Sequence, residues 1–243
     1  MKKHPFLLIV CSYLAGIILQ GCSPIYYSPN THNVPALREK GDKRMILAGN
    51  ENRLEGQAAF SPENNMGILF SGGTFFPRDD EEGDGGKGWF LESGFGYYHP
   101  VSDHFLFDVY GIFGYGYVEN HFPSTLPNNP LTTGIIESNL IRYGVQPSFG
   151  FNTRYFDAIL SSRFVGLSYF NYAGNLVFQG ESQTQYLADN QSAFLFEPAL
   201  TLRGGYDKVK LQAQLGLSFN LRNDEFRQDE GQLTVGIIYS FGQ

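Results

Sequence analysis

Val209-Lys210-Leu211-Gln212-Ala213-Gln214-Leu215-Gly216-Leu217-Ser218-Phe219-Asn220-Leu221 alternates apolar and polar residues without a break. Successive side chains of an extended strand point to opposite faces, so this stretch has one greasy face and one polar face. Soluble strands usually run to about 5–6 residues, whereas a strand crossing a bilayer needs roughly 9–11 tilted ones. This stretch is long enough to cross. With its apolar face in lipid, every backbone group has to pair with a neighbouring strand, which forces a closed barrel.

The same period recurs along the chain. Arg44–Ala48 and Leu54–Phe60 read as short strands, followed by Met66–Phe75, Gly88–Tyr98, Phe105–Val118, Leu140–Phe151, Tyr155–Phe170, Phe194–Arg203, Val209–Leu221 and Leu233–Phe241. In Phe105–Val118, Phe105, Phe107, Val109, Phe113, Tyr115 and Tyr117 oppose Asp108, Gly114 and Gly116. The fold expected is an all-β, antiparallel, up-and-down membrane barrel of about ten strands, with eight as the alternative. Short connections (Ser61–Asn65, Tyr98–His104, Asn152–Arg154, Gly204–Lys208) alternate with long polar ones (Phe76–Lys87, Glu119–Glu137, Asn171–Gln191, Arg222–Glu230). Outer-membrane barrels pair short periplasmic turns with longer extracellular loops in this way. Pro147 and Pro198 fall inside strands, where a proline marks a bulge, here near the periplasmic rim.

The start of the chain sets the compartment. Lys2 and Lys3 precede an apolar run from Phe6 to Leu19 that stops at Gly21-Cys22, the pattern of a signal peptide. Leu19-Gln20-Gly21-Cys22 resembles the lipobox of bacterial lipoproteins, which implies removal of residues 1–21 and a lipid on Cys22. Residues 22–43, with Pro24, Pro29, Pro35 and a charged end, read as a lipid-anchored tether on the periplasmic side, and 44–243 as the barrel domain.

Cleavage removes two of the 17 basic and none of the 24 acidic residues, leaving 15 against 24 and a formal charge of about −9. No basic face for nucleic acid is visible. Cys22 would be the sole remaining cysteine, so neither a disulfide framework nor a thiolate metal site is expected.

The lipobox, the tether ending in Glu39-Lys40-Gly41-Asp42, and the words Gln57-Ala58-Ala59-Phe60, Gln146-Pro147-Ser148-Phe149-Gly150-Phe151 and Glu197-Pro198-Ala199-Leu200-Thr201-Leu202-Arg203 resemble small outer-membrane β-barrel lipoproteins of Bacteroidetes. The resemblance implies fold and place, not activity.

The polar faces place Glu92, Asp108, Arg142, Arg163 and Glu197 opposite one another in the lumen, with Arg203 and Lys210 beside them. Unpaired buried ions cost several kcal/mol, so the expectation is a network of pairs. The final strand, with Gly236, Tyr239 and Phe241, resembles the terminal signal read by barrel-assembly machinery. Gly236 permits close approach of a backbone, and the two rings suit a membrane interface. The acidic Asp79-Asp80-Glu81-Glu82-Gly83-Asp84 loop lacks the alternating ligand spacing of an EF-hand and reads as a solvated surface. His121 and Ser124 are similar to the histidine and serine of outer-membrane lipid A hydrolases, but a base needs an orienting third group, and only Glu119 and Glu137 are near in sequence. His99 and His104 have no third ligand for zinc. No metal or cofactor is expected. Three function classes follow: a structural or surface-interaction protein meeting envelope glycans, partner proteins or host molecules through its loops; an outer-membrane lipid-modifying hydrolase; and a soluble lipid-tethered barrel binding a small apolar ligand with its aromatics turned inward. The first is the reading adopted, with outer-membrane lipid and assembly machinery as partners and no enzymatic activity.

Overall fold

The computed structural model describes residues 23–77, 86–123, 131–206, 208–223 and 225–241. In chain order the strands are β1 (Lys43–Asn50), β2 (Arg53–Glu63), β3 (Met66–Phe75), β4 (Lys87–Pro100), β5 (Phe105–Phe122), β6 (Gly134–Asn152) and β7 (Phe156–Gly174). A small hairpin, β8 (Val177–Phe178) and β9 (Glu181–Ser182), and helix α1 (Gln183–Asp189) come next. β10 (Ser192–Tyr206), β11 (Val209–Leu217), β12 (Phe219–Asn220) and β13 (Gly231–Phe241) complete the chain. Each wall strand pairs antiparallel with the next, and β13 returns to β1 with Lys43 opposite Phe241 and Gly49 opposite Val235. With β11 and β12 counted as one wall strand, the result is a closed antiparallel barrel of ten strands.

The long alternating stretch is interrupted once. Ser218 keeps the β13 register, its N–H donating to the Glu230 carbonyl at 2.7 Å, while the ladder to β10 skips Glu197 and Pro198 before Phe219 pairs with Phe196 and Leu221 N–H bonds Phe194 O. Pro147 and Pro198 correct the expectation of bulges: Pro147 stays in register opposite Val109 and Pro198 opposite Ser162. Between β6 and β7 the ladder skips Gln146 and Pro147 and resumes at Ser148 opposite Ser161 in unchanged register. A missing donor is thus absorbed as a gap, while the register shifts lie at Phe60/Glu63 and Glu137/Asn139.

Alternation decides what faces outward. Leu211, Leu160 and Leu91 are 69%, 64% and 63% exposed, and Phe105, Phe107, Phe113, Leu215 and Phe219 share their side of the wall. Soluble monomers rarely expose contiguous apolar surface beyond a few hundred Å². The aromatics point out of the barrel, which removes the soluble reading that needed them inward. The wall is uneven in height. β5, β6 and β7 are 18–19 residues long against 8–11 for β1, β2, β3 and β13, so the tall side extends well past what a bilayer requires at its long-loop end.

The segment expected to be a tether lies inside the barrel. Tyr26, Tyr27, Asn30–Asn33, Val34 and Leu37 are all buried, and the segment runs the length of the lumen. Near its C-terminal end Lys40 N–H bonds Asn64 Oδ1, Gly41 N–H bonds Ser61 O, and Arg38 Nη1 reaches Ser102 O, all at short turns. At its other end Ile25 N–H meets Asn120 Oδ1, and Tyr26 and Tyr27 join the backbone of Arg227–Asp229 beside the long loops. Ser23 therefore stands at the long-loop end, opposite the end of β13, and not at the short-turn side where the tether reading put it. The long connection after β7 is likewise more than a solvated loop. Leu176, Phe178, Tyr186 and Leu187 are buried with Phe122, Ile136 and Phe226, and Tyr26 stacks on Tyr186 at 5.5 Å. Together they form a cap over one mouth.

Candidate functional site: the plugged lumen

The strand period places one residue in two inside, and the interior is where this chain concentrates its buried polar chemistry. Arg142 on β6 is the hub. Its guanidinium lies 3.3 Å from Glu92 on β4 and 3.2 Å from Glu197 on β10, bonds Asn30 Oδ1, and sits over the Tyr27 ring. Arg163 on β7, fully buried, donates to Gln146 Oε1 at 2.6 Å and Asn30 Oδ1 at 2.7 Å, with Glu92 at 3.5 Å. Glu197 also accepts from Tyr27 Oη at 2.7 Å. Four of the five charged residues expected in the lumen thus meet in one network. Asp108 is equally buried but bonds Ser148 instead. Lys210 pairs with Asp157 at 2.7 Å, nearer the short turns.

What sequence reasoning missed is that Asn30 and Tyr27 belong to this network. The segment continues the same grip residue by residue. Thr31 N–H donates to Glu55, and its carbonyl accepts from Gln57 Nε2 at 2.8 Å. His32 N–H donates to Gln214 Oε1, its carbonyl accepts from Gln214 Nε2, and its Nδ1 lies 2.7 Å from Ser161 Oγ. Asn33 Nδ2 reaches Ser71 Oγ at 3.3 Å and its carbonyl accepts from Gln146 at 2.9 Å; Arg203 Nη2 donates to Val34 O at 2.7 Å. Backbone groups without a strand partner must be satisfied somewhere, and here lumen side chains satisfy them. Below the polar network Val34, Ala36 and Leu37 pack among Ala59, Leu69, Tyr98, Leu106, Tyr110 and Ile112. The available signal was Asn30-Thr31-His32-Asn33 followed by Val34-Pro35-Ala36-Leu37, a polar-then-apolar order that matches the lumen.

Such an arrangement excludes solvent and fixes two registers at once, that of the plug and that of the wall. Among the described residues no group of three or more His, Cys, Asp or Glu side chains is placed to hold a metal ion. His99 stacks on Tyr97 and His104 meets the edge of Phe151. His121 lies exposed on β5, while Ser124 and the acidic loop 79–84 lie outside the described residues, as does Cys22.

On β13, Leu233, Val235, Ile237, Tyr239 and Phe241 face outward, and Tyr239 meets Phe241 edge-on at 4.5 Å. A Cβ on Gly236 would come within 2.6 Å of Leu47 O and 2.9 Å of Ala48 Cβ, so the β1 seam needs glycine there. If the terminal aromatics are an assembly signal, Tyr239→Ala/Phe241→Ala should lower the amount of heat-modifiable barrel in the outer membrane several-fold more than the outward pair Leu215→Ala/Leu217→Ala. Equal losses would make the rings plain lipid-facing surface.

No family model and no curated protein matches the sequence. Among solved structures the chain is similar to the translocator domain of the autotransporter NalP from Neisseria meningitidis, at 12% identity and TM-score 0.46 over 96% of this chain and 97% of that one. It is also similar to the KdgM porin, at 8% identity and TM-score 0.36 over 83% and 99% of the two chains, and to LpxR from Salmonella typhimurium, at 9% and 0.36 over 83% and 100%.

Proposed function

We propose that this protein is a self-plugged outer-membrane barrel with a structural or surface-interaction role, closed to solutes by its own amino-terminal segment. The observation that carries the reading is the burial of Tyr26–Leu37 in the lumen by bonds to β2, β6, β7, β10 and β11. The outward apolar belt supports a bilayer as the surrounding medium, and long loops on one rim support contact with envelope or host molecules. The lipobox supports lipidation of Cys22. Because Ser23 stands at the long-loop rim, that lipid belongs in the outer leaflet of the membrane and not on the periplasmic side. The plug is then both the stopper and the route by which the anchor reaches the cell surface.

Single cysteines test this orientation, because cleavage removes Cys11 and lipidation blocks Cys22. Ser23→Cys and Gln185→Cys should react with an impermeant maleimide on intact cells, and Lys208→Cys only after permeabilisation. Reaction of Ser23→Cys solely after permeabilisation, with Gln185→Cys open, would overturn the proposed path. Palmitate labelling that persists in Cys22→Ser would overturn the anchor.

A further inference from the structure

We propose that the short-turn mouth of the barrel binds a soluble phosphate-bearing anion. A cavity of about 460 Å³ opens there, between the plug at Pro35–Arg38 and the wall. It is lined by Arg38 of the plug, Arg44 of β1, Arg203 of β10, Lys210 of β11, and Arg154 and Lys208 from two turns. Among the described residues the carboxylates facing it are Asp103 and Asp157, with Asp42 behind Arg44 at 3.6 Å. Asp157 is already taken by Lys210. Positive charge is therefore in excess at this mouth of a chain whose overall charge is negative.

The excess is concentrated on guanidinium groups that share few carboxylates, Asp42 and Asp157 beside Arg44 and Asp157 and Asp108 beside Arg203. Arg44 stands within electrostatic range of both Arg38 and Arg203, so like charges face one another across the cavity. Arg38 donates from Nη1 to Ser102 O, yet its Nη2 is buried with no partner. Arg203 is held by Gln212 and the Val34 carbonyl, which fixes its plane. Like charges brought together at a cost are stabilised by an anion between them, and guanidinium forks give paired, directional bonds to oxyanions. Three forks come from three separate elements, the plug, β1 and β10. A tetrahedral phosphate offers oxygens to several forks at once, whereas a planar carboxylate offers two in one plane. The cavity lies on the lumen side, beside the inward-facing Ile238 and Ser240. The wall separates it from the outward apolar face, so the occupant is a soluble anion and not a lipid of the surrounding bilayer.

Isothermal titration of the purified, folded full chain in detergent with inorganic pyrophosphate, at constant ionic strength, tests this. Saturable binding should appear and weaken about tenfold or more in Arg38→Gln/Lys208→Gln, two positions at the rim, measured on the heat-modifiable folded form. Binding unaltered in that variant, no binding at all, equally tight binding of citrate, or full competition by a short-chain phosphatidylglycerol would each overturn the proposal. If the double variant loses its folded form, Lys208→Gln alone carries the test, with at least a threefold weakening expected. The result is independent of where Ser23 emerges, so it stands or falls separately from the orientation of the anchor.

Discussion

Deletion of Pro24–Leu37 should convert a silent barrel into a conducting one. In planar bilayers the intact chain is expected to give no channel steps, and the deleted chain discrete ones. Barrels near eight strands are just filled by their own side chains, and a ten-stranded wall leaves space that this segment occupies. Its loss strips Glu55, Gln214 and Arg163 of bonds they make to Thr31, His32 and Asn30. Water would have to replace those bonds, which is what makes the lumen permeable. Should the deletion fail to yield the heat-modifiable form, Gln57→Ala/Gln146→Ala/Gln214→Ala keeps the segment at full length and removes wall side chains that hold the backbone of Thr31, His32 and Asn33. A folded but still silent barrel in both variants would sink the stopper reading.

The second large effect concerns Arg142. Arg142→Met should destabilise the folded barrel by about 3–5 kcal/mol, the usual consequence of removing one partner from a buried ion pair. Glu92 and Glu197 would then face Arg163 alone, two buried carboxylates for one guanidinium. Adding Glu197→Gln removes the surplus charge, so Arg142→Met/Glu197→Gln should be less destabilised than the sum of its two single variants by about 0.5–3 kcal/mol. Urea unfolding in detergent micelles measures both. Strict additivity would mean that Arg142 and Glu197 do not act as a pair.

The wall was legible because a membrane barrel writes its two environments alternately along each strand. Phe105 against Asp108, and Ile141 against Arg142, needed no knowledge of partners, and the short connections followed from where alternation stopped. The plug was not legible for the complementary reason. A single extended segment surrounded on all sides has no period, and its prolines are as compatible with a tether as with a stopper. Its one signal was the order Asn30-Thr31-His32-Asn33 then Val34-Pro35-Ala36-Leu37, which gains meaning only against a lumen that is polar above and apolar below. Ser218 is a smaller case: the gap beside it lies opposite Glu197 and Pro198 on the neighbouring strand, which no local pattern records.

The uneven wall has a consequence for the order in which the molecule comes together. The ladder between β5 and β6 runs the full length from Phe105 to Phe122, while the seam that closes the ring joins only Lys43–Gly49 to Val235–Phe241. The enclosed segment is continuous with β1, on one bank of that seam, and its bonds reach across to β7 and β10. A ring already shut would force this polar stretch to be drawn lengthwise past Arg142, Arg163 and Glu197. Laid against a sheet still open between β1 and β13, it meets each partner sideways. Seating of Tyr26–Leu37 while the last strand is still free is therefore the expected order, with the arrival of β13 locking the segment in.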